Sequence, residues 1–226
     1  MLVAISKSVE LTLFRSSVTS RSKPQGNLQC IRHVQDLATF NFGFWVTLVS
    51  TSDRQGTMLK IEPVRNQTQA DAVYVLTYEF VDWLRERYPE MENEIDVYLR
   101  HQKFDEQIRE VLTHYNPPKG ECLLAVNDGH PVGVLMLKDL GDGVCEMNRM
   151  FVRESARGIG VGRALVENLK RCARDMGFET MTLSALPRHH EALSLYRSCG
   201  FFLDKRRREA GNSDNAVLMK VDLSAS

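Results

Sequence analysis

The segment 157–163 combines residue types that are suited to binding an anion. It has glycine at three alternate positions and arginine at both ends: Arg157, Gly158, Gly160, Gly162 and Arg163. Glycine has no Cβ atom, so the backbone can approach a ligand closely there. The residues before the segment favour a strand, and those after it have the period of an amphipathic helix. The first N–H groups of that helix would point back at the loop, which therefore predicts a site for a phosphate or pyrophosphate.

The spacing of the glycines excludes two common phosphate-binding motifs. A Rossmann fingerprint requires G-x-G-x-x-G, but counting from Gly158 and Gly160 the third position is Arg163. A P-loop requires Lys-Ser or Lys-Thr after its last glycine, and neither follows here. A glycine-rich turn that binds no ligand is the remaining alternative at this point.

The spacing Arg157-x-x-Gly160-x-Gly162 resembles the R/Q-x-x-G-x-G/A signature of the GNAT superfamily of N-acetyltransferases. In that family the loop wraps the pyrophosphate of acetyl-CoA. Both flanking regions are similar to the family as well. The run 146–152 looks like the strand that precedes the loop, and the run 191–201 resembles the A-x-x-L-Y-x-x-x-G-F segment that follows it.

The resemblance implies which residues bind the acetyl donor. Main-chain groups near the end of the preceding strand pair with pantetheine, and an N–H there can also hold the developing oxyanion. The N–H groups of the segment 158–163 hold the pyrophosphate. His189 stands where the family often has asparagine, and a histidine can also donate a hydrogen bond to coenzyme A. The donor-binding residues implied in this way are Met150, Val152, Arg157, Gly158, Ile159, Gly160, Val161, Gly162, Arg163 and His189.

The same resemblance implies two catalytic residues. Tyr196 would donate a proton to the leaving thiolate or contact its sulfur, and the alternative is a core tyrosine with a satisfied hydroxyl. Glu146 would deprotonate the amine, directly or through water, and the alternative is an ion pair with Arg149 or with a helix. By the period of two in a strand, Glu146 shares a face with Asn148 and Met150.

The pattern of elements predicts how these residues are positioned. The order β-α-α-β-β-β-α-β-α-β-β runs from Met58 onward and matches the GNAT fold. This is an α/β (α+β) architecture with a mixed, mostly antiparallel twisted sheet of about seven strands and about four helices. Asp128-Gly129 and Asp142-Gly143 are hairpin signals. The strand–helix–strand unit that contains the glycine segment predicts a right-handed parallel crossover.

Residues 1–57 differ in composition from the rest, because they are rich in Ser, Thr, Arg and Lys and poor in acids. We interpret them as an N-terminal extension, either disordered or an over-extended gene start with Met58 as the natural initiator. A mitochondrial transit peptide is the alternative. Residues 58–226 form the predicted acetyltransferase domain. The basic run 205–208 is interpreted as part of a solvated loop, with nucleic-acid binding as the alternative.

Composition limits the partners and the compartment. The formal net charge is zero, so no global charge favours nucleic acid or an anionic membrane. The five cysteines form no C-x-x-C pair and the histidines have no metal-ligand spacing, which predicts a reduced, cytoplasmic protein without a metal. The family resemblance implies an N-acetyltransferase that uses acetyl-CoA and a primary amine of a small molecule or peptide, and it makes a homodimer a candidate assembly. A CoA-binding regulator without transferase activity is the alternative.

Overall fold

The computed structural model describes residues 58–204 and 216–224. Within them, seven strands form one sheet in the order β1-β2-β3-β4-β5-β7-β6. Only β4 and β5 pair in parallel, and the other neighbours are antiparallel. The strands are β1 (Leu59–Pro63), β2 (Gly120–Asn127), β3 (His130–Gly141), β4 (Val144–Val152), β5 (Thr180–Ala185), β6 (Phe202–Leu203) and β7 (Val217–Asp222). The predicted mixed, mostly antiparallel sheet of about seven strands is confirmed.

Six helices accompany this sheet in the described ranges, where the sequence predicted about four. They are α1 (Gln67–Arg87), α2 (Glu92–His101), α3 (Phe104–Arg109), α4 (Val111–His114), α5 (Val161–Asp175) and α6 (His190–Ser198). The difference lies in the second predicted helix, which is divided into α2, α3 and α4. Lys103 has a left-handed φ of 46° that ends one helical run, and the chain turns again at Glu110. Neither position carries glycine or proline. The apolar period of residues 90–115 is interrupted near 101–104, which left a first break open, and nothing in the sequence indicates the second.

Helices cover both faces of the sheet. On β4, Phe151 packs against Phe80 of α1, with 5.9 Å between the ring centroids. The adjacent Val152 faces the other side, where its side chain and that of Leu165 in α5 both lie within 3.3 Å of a Cβ placed on Gly133. Successive residues of a strand point to opposite faces, so α1 and α5 lie on opposite sides. The buried apolar residues of both faces belong to one connected core.

The turns around the central strands follow from their residue types. Asp128 and Gly129 both have positive φ, as do Asp142 and Gly143. That combination is typical of type I′ hairpin turns, which match the twist of antiparallel strands. These two turns place β2, β3 and β4 side by side, as predicted.

The parallel strands β4 and β5 separate soon after they begin to pair. Their register covers Val144–Glu146 opposite Thr180–Thr182 and goes no further. Beyond this point β4 continues to Val152 and β5 continues to Ala185. The separation leaves a cleft between the carboxyl-terminal ends of the two strands, which we call the β4–β5 cleft.

A β-bulge in β4 lies beside this cleft. Asn148 is opposite Met136 and Phe151 is opposite Val134, so that Leu135 faces two residues, Arg149 and Met150. Arg149 has a φ of 51°, a conformation that a residue with a Cβ atom rarely adopts. The bulge corrects the prediction that Glu146, Asn148 and Met150 share one face. The extra residue turns Met150 toward α5 and α6, where it touches Tyr196.

One charged side chain of α5 is buried. Lys170 is only 7% exposed. Its Nζ donates to the carbonyl oxygen of Cys199 at 2.9 Å and forms an ion pair with Glu167. A buried ammonium is tolerated because these acceptors replace water.

Two predictions lie outside the described residues. They are the N-terminal extension, 1–57, and the interpretation of the basic run 205–208. Among the helices of the described ranges, none has the length and apolar character needed to cross a bilayer.

Candidate active site

The glycine segment is shaped by two different requirements. Gly158 and Gly160 have φ values of 80° and 92°, which residues with a Cβ atom seldom adopt, and an added Cβ at either position would meet only open space. Gly162 lies inside α5, where an added Cβ would come within 3.0 Å of Leu195 and 3.1 Å of Met150. The first two glycines therefore shape a loop with room beside it, and the third allows α5 to pack closely.

This loop leads into the exposed start of α5. Gly160 is the N-cap residue and provides no side-chain hydrogen bond to the helix. The first intrahelical bond of this turn runs from the N–H of Ala164 to the carbonyl oxygen of Gly160. The N–H groups of Val161, Gly162 and Arg163 precede that bond, and no acidic side chain is present in the first turn. Their donors and the helix dipole make this end of α5 suited to an anion.

A cavity connects this helix start with the β4–β5 cleft and the end of α1. Ten of the twelve predicted site residues line it, and the exceptions are Ile159 and Glu146. Ile159 lies at the loop surface with half of its area exposed. The predicted residues that the structure brings together are Met150, Val152, Arg157, Gly158, Gly160, Val161, Gly162, Arg163, His189 and Tyr196.

Part of the cavity wall comes from α1 and was not predicted. Trp83 and Arg87 lie one helical turn apart and both line the cavity. The guanidinium carbons of Arg87 and Arg157 each lie 5.2 Å from the centre of the Trp83 ring. Arg157 also donates from Nε to the carbonyl oxygen of Val152 at 3.0 Å. The sequence signal that could have indicated this wall is the pair Trp83 and Arg87, an aromatic and a cationic residue at spacing i,i+4 near the end of a helix.

Tyr196 is fully buried in the wall formed by α6. Its hydroxyl donates to the sulfur of Met150 at 3.6 Å. Burial raises the pKa of this phenol above its ordinary value, and the nearby Cys199 acts in the same direction. The hydroxyl therefore remains protonated at neutral pH and is available as a donor to a sulfur atom.

His189 closes the cavity at the start of α6. It is 3% exposed, and its ring lies 5.5 Å from that of Trp83 and 5.2 Å from that of Tyr88. Burial lowers the pKa of its imidazole, and the positive charge of Arg87 contributes in the same direction. His189 is therefore neutral near pH 7, with both a ring donor and a ring acceptor.

Glu146 lies where β4 and β5 separate, opposite Thr182. It is 8% exposed, and its charge helps to raise the pKa of the Tyr98 hydroxyl, which burial raises most. This places the carboxylate on the side of the sheet that α2 covers. The guanidinium of Arg149, the partner that the sequence suggested for Glu146, donates to Tyr115 and to Gln107.

Comparison with known proteins agrees with this architecture. The model of the acetyltransferase (GNAT) family matches residues 77–201. An uncharacterised N-acetyltransferase of Schizosaccharomyces pombe is 32% identical over 105 residues, which are 46% of this chain and 64% of that protein. The human N-acetylaspartate synthetase is 31% identical over 117 residues, 51% of this chain and 37% of that protein. The chain thus spans less than two thirds of the length of these relatives.

Solved structures share the fold at low sequence identity. An acetyltransferase of the GNAT family from Staphylococcus aureus superposes with a TM-score of 0.57 at 18% identity, covering 73% of this chain and 99% of that chain. The PaiA N-acetyltransferase of Thermoplasma acidophilum in complex with coenzyme A gives 0.55 at 15% identity, covering 72% and 99%. Since the family model spans more than half of the sequence and the sheet topology agrees with these structures, the chain belongs to the GNAT family of acetyltransferases.

Proposed function

We propose that this chain is an acetyl-CoA-dependent N-acetyltransferase that transfers the acetyl group directly to a primary amine. One observation carries the proposal. A single cavity is lined by the first residues of α5, whose N–H groups have no partner within the helix, and by Tyr196, whose hydroxyl already donates to a sulfur atom. A ligand with a diphosphate at one end and a thioester at the other matches both ends of this cavity.

The residues present fit the donor substrate. The open space beside Gly158 and Gly160 leaves room for a diphosphate against the start of α5. Arg157 and Arg87 add positive charge to the cavity lining, next to the ring of Trp83. Main-chain groups of Met150 and Val152 lie along the β4–β5 cleft, where the pantetheine arm would add to the edge of β4 in the manner of a strand.

The reaction requires two proton movements. A bond forms between the amine nitrogen and the carbonyl carbon, and the bond from that carbon to sulfur breaks. Glu146, as a carboxylate, accepts the proton that the amine loses, directly or through one water. Tyr196 stabilises the departing sulfur through its hydroxyl proton. Return of the proton from Glu146 to the thiolate through solvent leaves the enzyme unchanged and yields an amide and a free thiol.

The burial of Tyr196 limits how far its proton moves. A phenol whose pKa is raised by burial is a weaker acid than a thiol, so complete transfer to the thiolate costs free energy. A hydrogen bond to the developing negative charge does not carry this cost. We therefore assign Tyr196 the role of hydrogen-bond donor to sulfur throughout bond cleavage.

The acceptor is proposed to be a small molecule or peptide amine. The mammalian relatives are named for the synthesis of N-acetylaspartate, which is the acetylated amine of a small molecule. Asn148 of β4 supports a polar acceptor, because its buried Oδ1 atom has no hydrogen-bond partner among the described residues and an apolar acceptor would supply none.

A CoA-binding regulator without transferase activity is the second candidate. It shares the donor site but requires neither Glu146 nor Tyr196. Two measurements on the purified chain distinguish the candidates. Thermal shift and calorimetry with acetyl-CoA test donor binding, and thiol release with a panel of amines tests turnover. We expect saturable binding together with amine-dependent thiol release. Binding without release for every amine would favour the regulator, and no binding would refute both candidates.

A further inference from the structure

The bulge in β4 contains a buried arginine, Arg149. Arg149 is 6% exposed and adopts a left-handed φ of 51°, which costs about 1–2 kcal/mol for a residue with a Cβ atom. Burial lowers the pKa of its guanidinium to about 10, so it remains charged at neutral pH. Strained backbone and a buried charge both reduce stability, and their coincidence at a candidate site indicates a functional reason.

The partners of Arg149 satisfy its charge only in part. Its guanidinium lies between the rings of Phe104 and Tyr115, at 5.4 and 5.2 Å from their centres. Its Nη groups donate to Tyr115 and, at 2.8 Å, to Gln107. Across 58–204 and 216–224 no carboxylate forms an ion pair with it. The side chain has five donor hydrogens, so some remain for an anion.

Two buried polar atoms of β4 and β5 have no hydrogen-bond partner among the described residues. They are the Oδ1 atom of Asn148, which directly precedes Arg149, and the Oγ atom of Ser184. Asn148 is 6% exposed and Ser184 is 2% exposed. Buried polar atoms are normally hydrogen-bonded, so unpaired ones indicate a ligand or water that supplies the missing bond.

These groups lie on the same face as Glu146. In β4, Asn148 follows Glu146 by two residues and precedes the bulge, so both point to the side covered by α2. In β5, Thr182 is the parallel neighbour of Glu146, and Ser184 follows it by two residues. One side of the β4–β5 cleft therefore presents hydrogen-bond acceptors next to a guanidinium. The amine of a bound substrate needs hydrogen-bond acceptors such as these, and a carboxylate of the same substrate would need a cation such as Arg149.

We propose that Arg149 determines acceptor specificity by binding a carboxylate, so that the acceptor is an amino acid whose amine lies near Glu146 and Asn148. This inference rests on the proposed transferase function and adds the class of acceptor to it. Arg149 acts on the non-reacting end of the acceptor and takes no part in the proton movements.

The test uses the 226-residue chain with acetyl-CoA and pairs of acceptors in which a carboxamide replaces the carboxylate. Because amidation also lowers the pKa of the amine, kcat/KM is expressed per concentration of neutral amine. Each pair consists of an amino acid and its carboxamide: L-aspartate, L-alanine and β-alanine, with the α-amide of aspartate, L-alaninamide and β-alaninamide. We expect kcat/KM for at least one acid to exceed that for its amide by about 10- to 100-fold, as a charge-assisted hydrogen bond contributes. Replacement Arg149→Met should reduce this ratio to about one by raising KM for the acid, while affinity for acetyl-CoA is retained.

Two further variants separate charge from structure. Arg149→Lys keeps a cation without the planar fork and should preserve part of the preference for the acid. Arg85→Met removes a guanidinium that already pairs with Asp96 and should leave the ratio at the wild-type value. If Arg149→Met fails to fold, the wild-type ratio alone decides. Equal turnover of acids and amides would overturn this inference while leaving the transferase function standing, and absence of turnover with every amine would overturn both.

Discussion

Tyr196 shows how burial determines what a side chain can do. The hydroxyl has no exposure to solvent and faces a thioether sulfur at 3.6 Å. The sequence predicted its place near the thiolate from the resemblance of the segment 191–201 to the family. The direction of its pKa shift could not be predicted, because that shift depends on how much protein surrounds the ring.

The first prediction concerns this hydroxyl. Tyr196→Phe should lower kcat by about 10- to 100-fold, since it removes one hydrogen bond to the developing charge and leaves the remaining groups in place. The Kd for acetyl-CoA should stay within twofold of wild type, because the hydroxyl contributes little to ground-state binding. A thiol-release assay measures kcat, and calorimetry measures the Kd for acetyl-CoA. An unchanged kcat would remove Tyr196 from the mechanism.

The second prediction uses a matched pair of glycines at the two ends of α5. Gly160 and Gly177 have φ values of 92° and 85°, and an added Cβ at either one meets nothing within 4 Å. Gly160→Leu and Gly177→Leu should therefore lose similar stability, about 1–2 kcal/mol, from strain alone. Only Gly160→Leu should also raise the Kd for acetyl-CoA, by at least about tenfold, because its side chain fills the space proposed for the diphosphate. Equal affinity in both variants would place the donor elsewhere.

The bulge at Arg149 could not be predicted from the residue types of β4. The period of two predicted correctly that Glu146 and Asn148 are neighbours on one face. It failed at Met150 because the bulge adds one residue to β4 opposite Leu135. Bulges often have glycine at the left-handed position, but here that position is an arginine. The local sequence therefore does not indicate the bulge.

At the scale of elements, turn chemistry was the most reliable guide. Asp-Gly pairs fixed both hairpins, and Asn66 caps α1 by accepting from the N–H of Gln69 at 3.0 Å. Gly177 follows α5 with a positive φ, the conformation in which glycine commonly ends a helix. The division between α2 and α3 was left open at 101–104, and the division between α3 and α4 was missed, because tertiary packing, rather than glycine or proline, sets them. Phe104 and Ile108 of α3 are buried, which turns that short helix toward the core.

The third prediction tests how α5 is held against α6 and β4. An added Cβ at Gly162 would lie 3.0 Å from Leu195 and 3.1 Å from Met150. Gly162→Val should therefore destabilise the protein by about 1–3 kcal/mol through overpacking, measured by urea denaturation. Gly162→Ala should cost less, because the flexible ends of Leu195 and Met150 can move aside. A valine variant as stable as wild type would show that α5 sits less tightly than described.

At the scale of the whole molecule, His189 links stability to pH. Its native pKa is lowered to about 3, mainly by burial, while an unfolded histidine titrates near 6.5. Between these values the unfolded chain binds a proton that the native chain does not, so stability is greatest above the unfolded value and decreases as pH falls below about 6.5.

The fourth prediction follows from this difference. The free energy of unfolding should fall with decreasing pH between about 6.5 and 4.5, and His189 should contribute up to about 1.4 kcal/mol per pH unit. His189→Gln keeps a polar side chain that does not titrate, and it should flatten this part of the profile. Denaturation at a series of pH values checks the slope. A variant with the same slope as wild type would assign the effect to other groups.

The β4–β5 cleft also has a consequence for cooperativity. Within the described residues, three residue pairs at the start of the two strands form the only ladder between the β1–β4 and β5–β7 halves of the sheet. A donor whose pantetheine arm contacts both β4 and β5 would link the two strands across the cleft and couple the two halves of the sheet. Amide hydrogen exchange in β5 and β7 should then slow when coenzyme A is added, even at positions that the ligand never touches. In the proposed reaction the donor would thus serve both as a reactant and as a temporary structural link between the two halves of the sheet.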